Sequence, residues 1–181
     1  FFSLYYLLFL MKVLRIKFLL SLSLLLFVPA TPTWAKVTDE LRMVGEARLK
    51  VFFWSIYDSA LYTESGRYSG IEPKLTLEIN YLRTITSKQL LNRTSEEWQN
   101  TTIKQHHLDT WLLELARFLP DVKKGEKLAL QVEEDLSSSF YLNDRFLGNI
   151  RGSEFTQAFL AIWLSEASSY PSLRAKLIGR N

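Results

Sequence analysis

The chain has no cysteine among its 181 residues. A disulfide framework is therefore excluded, and no thiol follows the apolar N-terminal run to take a lipid anchor. Histidine is nearly as scarce, and the two present are the neighbours His106 and His107. Adjacent residues on a helix point roughly 100° apart, so the pair cannot grip one ion well, and neither a metal nor a cofactor is expected. No Gly-x-Ser-x-Gly turn presents a nucleophilic serine, and Ser137 to Ser139 read as the polar entry to a strand. Internal repeats and low-complexity linkers are also missing.

Net charge is absent from most of the chain as well. Residues 11–35, MKVLRIKFLLSLSLLLFVPATPTWA, have a basic start (Lys12, Arg15, Lys17), a short apolar run and a small-residue exit at Ala35. This is the pattern of a cleaved secretory signal peptide, and the run is short for a membrane span. Residues 1–10, FFSLYYLLFL, hold no Met and no charge, and read as an upstream extension from a start site placed too early. Taking those three cations from the 22 present leaves 19, equal to the 19 acids. A neutral remainder gives no reason to expect nucleic acid or an anionic membrane as a partner, and membrane contact is expected only through the signal peptide before its cleavage. Residues 36–181 are then expected to form a single periplasmic domain with a core of its own.

What is present is alternation and helical spacing in a readable order. Residues 43 to 63 read as extended, with a break near Glu46 to Arg48, and VFFWSIYDSALY (residues 51–62) reads as one aromatic strand. Leu75, Leu77, Ile79 and Tyr81 alternate as a half-buried strand. Thr86 and Gln89 form a capping box for a helix through Trp98. Leu108, Trp111, Leu112, Leu115 and Leu119 define a second helix, expected to stop at Pro120. Leu128, Leu130 and Val132 form a strand, and Asn143-Asp144 is a tight turn between two more. Two helices close the chain, the first spanning GSEFTQAFLAIWLSEA and the second opened by Pro171. Strands, two helices, strands and two helices make an α+β fold, an antiparallel sheet with helices on one face.

The stretches GEARLKVFFWSIYDSALYTESGRY, LEINYLRTITSKQLLNRTSEEW, PDVKKGEKLAL, FYLNDRFLGNI and FTQAFLAIWLSEASSYPSLRAKLIG, in that order, resemble the exported chalcone-isomerase-like proteins of Gram-negative bacteria. The resemblance covers nearly all of residues 43 to 179. It implies the chalcone-isomerase-like open-faced β-sandwich, a curved antiparallel sheet with helices packed on one face. The family includes enzymes that close a chalcone into a flavanone and relatives that bind fatty acids, both with an Arg and a Tyr facing a cleft between sheet and helices. By that resemblance Arg48 and Tyr57 are the ligand-binding candidates. No counterpart of the enzymes' Thr and Asn cluster is identified.

A guanidinium and a phenol at the mouth of an apolar cleft would bind a carboxylate, or hold a developing phenolate. Two readings of Arg48 therefore stand beside each other, this one and a surface ion pair to Glu46 or Asp58. Tyr57 is either a cleft hydroxyl or a core ring. Asn92-Arg-Thr94 and Asn100-Thr-Thr102 match the glycosylation pattern by chance. The favoured function is non-catalytic binding of a small amphipathic acid such as a fatty acid. The alternatives are an isomerase or lyase acting on a chalcone-like enone, and an envelope structural protein without ligand. Whether Phe52, Trp54, Phe159 and Trp163 point inward decides whether the cleft is filled.

Overall fold

The computed structural model describes residues 36–99 and 105–180. Residues 11–35, expected to be a signal peptide, residues 1–10, expected to be an upstream extension, and the Asn100-Thr-Thr102 pattern lie outside the described residues. Six strands form one antiparallel sheet in chain order: β1 (Arg42–Val51), β2 (Trp54–Thr63), β3 (Thr76–Tyr81), β4 (Lys127–Val132), β5 (Ser138–Leu142) and β6 (Arg145–Ile150). Helices α1 (Ser87–Gln99) and α2 (Gln105–Ala116) lie between β3 and β4, and α3 (Ser153–Leu164) and α4 (Pro171–Leu177) follow β6. The α+β order read from the sequence is the order found.

Local signals set several of these boundaries. The backbone N–H of Thr86 donates to Gln89 Oε1 at 2.9 Å, and the Gln89 N–H donates to Thr86 Oγ1 at 3.2 Å, so the capping box opens α1 as expected. Asn143 and Asp144 both take positive φ, 50° and 65°, which the short polar side chains tolerate in the tight turn between β5 and β6. The second helix ends at Ala116, four residues before Pro120, and Leu119 is buried beyond its last turn.

One expected strand is a hairpin. Residues 51–62 break at Phe52-Phe53, which turn the chain from β1 into β2, and pairing runs Val51↔Trp54, Leu49↔Tyr57 and Arg48↔Asp58. The expected break near Glu46 to Arg48 is instead a register shift between Met43 and Gly45, with a second between Leu49 and Lys50. Such shifts bend the sheet.

The helices cover the face that carries Tyr57, Leu61, Leu77, Ile79, Leu130 and Phe140. Residues two apart on a strand share a face, so this set is continuous across β2 to β5. Its centre is an aromatic cluster. Phe155 stacks on Phe159 at 5.6 Å between ring centres, and meets Trp98 and Trp111 edge-on. The buried Trp98 indole N–H donates to the Ala158 carbonyl at 3.0 Å, tying α1 to α3. Gly45 lets α4 approach β1, because a Cβ there would lie 2.1 Å from the Lys176 carbonyl oxygen. The other face of the sheet carries Arg48, Asp58, Glu78 and Lys127.

Candidate functional site

Packing between sheet and helices is incomplete at one end. A cavity of about 420 Å³ lies there. Its floor is Leu77, Ile79, Leu128 and Leu130 from the sheet, and its roof is Leu90 and Thr94 from α1 with Ile162 and Trp163 from α3. These are side chains without charge, so the space suits an apolar body. Phe159 and Trp163 line the space without closing it.

Tyr57, Arg93, Glu97 and Tyr170 come together at one part of the wall, and Gln89 lines the cavity about two turns away from Glu97 along α1. The Trp163 indole N–H donates to the Tyr57 hydroxyl at 2.9 Å. An indole can only donate, so the hydroxyl accepts in this bond and keeps its own proton to give. Among the described residues no acceptor takes that proton. Burial pushes the Tyr57 hydroxyl well above its ordinary pKa, more than the Trp163 bond pulls it down, so it stays a neutral donor. Tyr81 packs edge-on against it, 6.1 Å between ring centres, and burial raises that hydroxyl too.

Arg93 sits at the rim. Its guanidinium donates to Glu96 at 2.8 Å, to Glu97, and to the Tyr170 hydroxyl at 3.0 Å. The Ser169 hydroxyl donates to Glu97 at 2.7 Å, so the segment between α3 and α4 is fastened to α1 by this network. Half of the Arg93 side chain remains exposed. The N–H groups of that guanidinium left over from Glu96, Glu97 and Tyr170 can take a third carboxylate from the cavity side.

Residues 29–179 match the chalcone isomerase-like family. The chain belongs to that family. An uncharacterized protein of Haemophilus influenzae (strain Rd) is 27% identical over 137 residues, covering 76% of this chain and 67% of that protein. Among solved structures, a fatty-acid binding protein of Arabidopsis thaliana superposes with a TM-score of 0.59 over 82% of this chain and 94% of its own, at 9% identity. At that identity the likeness shows the chalcone isomerase-like fold and nothing finer.

Within this chalcone isomerase-like sheet the two residues expected to bind together are kept apart. Arg48 pairs opposite Asp58, one position from the Leu49–Tyr57 pair, so it projects from the face that Tyr57 does not. There its Nε and Nη2 donate to the two Asp58 oxygens at 2.5 and 2.8 Å. The surface ion pair is the arrangement found for Arg48, and Tyr57 alone reaches the cavity. The rings of His106 and His107 lie 4.1 Å apart, tilted by 39°, and no cluster of three or more metal-binding side chains occurs among the described residues. Phe52 and Trp54 point outward into solvent rather than into the cleft.

The rim residues on α1 were not singled out by sequence reasoning. Gln89, Arg93 and Glu97 fall at i, i+4 and i+8, one stripe of the helix beside the apolar stripe of Leu90, Thr94 and Trp98. That adjacency is the signal that could have found them.

Proposed function

We propose that this chalcone isomerase-like protein binds a small amphipathic acid such as a fatty acid, without chemical conversion. The hydrocarbon chain would lie in the cavity over Leu77, Ile79 and Leu130, and the carboxylate would accept a hydrogen bond from the Tyr57 hydroxyl with Arg93 beside it. One observation carries this reading: an apolar cavity of about 420 Å³ with Tyr57, Arg93, Glu97 and Tyr170 gathered at one place. That volume falls within the roughly 300–1,000 Å³ of small-molecule pockets. A ligand with one polar end and one long apolar end matches such a wall, because each unmatched polar atom buried there would lose its water without replacement. The fatty-acid binding protein that shares the fold supports the same reading. We place the protein in the periplasm on the composition of residues 11–35.

Native mass spectrometry of the purified protein, followed by solvent extraction, tests the reading. A bound acid of defined mass is expected, and its occupancy should fall in Tyr57→Phe. A clean protein mass and an extract without acid, from protein whose circular dichroism shows it folded, would rule the reading out.

A further inference from the structure

The β1–β2 hairpin ends in a feature that neither the core nor the cavity uses. Phe52 and Phe53 are 91% and 99% exposed, and Trp54 beside them is 61% exposed. Turn geometry does not ask for these residues. Two-residue hairpin turns favour Asn, Asp or Gly, because the backbone must enter the left-handed region. The β5–β6 turn, at the same end of the sheet, obeys that rule with Asn143-Asp144. The β1–β2 turn instead holds Phe52 at φ 52°, a conformation that bulky side chains rarely adopt. Strain and exposed aromatic surface occur together there, and among the described residues Phe52 and Phe53 have no packing that offsets either.

Cations outnumber acids at the tip's end of the sheet. Lys50, Arg83, Lys88, Lys123 and Lys124 are all exposed, and none forms an ion pair among the described residues. They lie on the strand ends and connections at the tip's end of the sheet: Lys50 pairs across from Ser55, and the Ile85–Val122 bridge joins the segments that carry the others. The Arg83 guanidinium rests 4.5 Å over the Trp54 ring. Three acids share this end: Asp121 accepts from the Ser87 N–H and Glu126 from the Lys123 N–H, each at 2.7 Å and at the surface, and Asp144 lies in the β5–β6 turn.

We propose that this hairpin tip docks the protein on an anionic phospholipid surface, with Phe52 and Phe53 entering the acyl region and the surrounding cations meeting the headgroups. Protruding rings with an indole at the headgroup level and basic neighbours are the elements of interfacial binding. Three side chains at a turn are a small patch for a stable protein partner, which needs about 800 Å² on each side; a bilayer accepts inserted side chains singly. Val51, at the base of the tip, also lines the cavity, so docking turns that end of the cavity toward lipid. The docking does not depend on what the cavity holds.

The absence of cysteine gives a site-specific test. In the full chain, Phe52→Cys or Glu134→Cys provides a unique thiol for an environment-sensitive fluorophore, the second being in the β4–β5 turn at the opposite end of the sheet. The probes are vesicles of phosphatidylcholine with about 30% phosphatidylglycerol, with and without acyl-chain nitroxide lipids. The label at position 52 should shift to the blue and be quenched by the nitroxides, and the label at 134 should do neither. Adding Phe53→Ser and Trp54→Ser should weaken the position-52 response at least about tenfold, and salt should weaken it further. A label at 52 that stays in water while the chain sediments with vesicles would overturn the proposal, since another segment would be the membrane contact. So would a blue shift that needs no vesicles and grows with protein concentration, which would make a second copy the occupant.

Discussion

The two faces of the sheet treat their polar groups in opposite ways. On the covered face Tyr57 lies between apolar side chains and the polar group of Arg93, Glu97 and Tyr170, accepts one hydrogen bond from Trp163 and has a hydroxyl proton for which no described residue is the acceptor. On the open face Arg48 and Asp58 satisfy each other in a two-pronged ion pair while their side chains remain 51% and 37% exposed. The first arrangement leaves a donor without a protein acceptor, so a ligand has something to gain by entering. The second is complete and wet, so it has little left to offer. Arg48 is therefore the poorer guide to the site, and the neutral Tyr57 hydroxyl the better one.

Substitutions on each face sharpen that contrast. Phe155→Ala removes a fully buried ring from the aromatic cluster on the covered face, and should cost about 3–5 kcal/mol in urea unfolding. Tyr57→Phe keeps the ring but leaves the Trp163 N–H without its acceptor. A stability loss of about 1–2 kcal/mol and an affinity loss of about tenfold for the acid are expected, read by unfolding and by titration calorimetry. An affinity unchanged in Tyr57→Phe would mean that the hydroxyl does not meet the ligand.

Arg48→Ala, on the open face, should change the acid's affinity by less than about twofold. The pH dependence of stability should show the same separation. The hydrogen bond from Arg48 holds the Asp58 carboxyl below the usual carboxylate range. A group with a depressed folded-state pKa contributes stability above its unfolded value of about 3.9, and the contribution fades as pH falls through the lower folded value. Acid titration of the unfolding midpoint in the protein and in Asp58→Asn should therefore converge at low pH and differ slightly at neutral pH. A large gap at neutral pH would show that the open face carries more than a surface ion pair.

Much of the fold could be read locally. The capping box of Thr86 and Gln89, the Asn143-Asp144 turn and the alternation of Leu75 to Tyr81 each depend on residues close in the chain, and each is found where it was expected. The Phe52-Phe53 turn could not be read that way. Aromatic residues signal a strand and no Asn or Gly marks the corner, so the hairpin is fixed by pairing between β1 and β2 rather than by the turn itself. The site suffered from the same gap. Whether Arg48 and Tyr57 share a face depends on cross-strand register, and one position decides it. The register shift at Leu49 and Lys50 has no marker in the residues around it. Arg93 was concealed differently, since an arginine between Asn92 and Glu96 reads as a solvated helix face until the packing of α1 on the sheet is known.

The central claim is that the space between sheet and helices holds the hydrocarbon chain of an acid. A crystal structure of the protein with a dodecanoic acid brominated at its methyl end would test it most directly, because anomalous scattering locates the bromine independently of the protein. The account predicts bromine among Leu77, Ile79, Leu128 and Leu130, with the carboxylate at Tyr57 and Arg93. Bromine on the open face near Arg48 and Asp58, or a cavity left without anomalous signal at saturating acid, would contradict it.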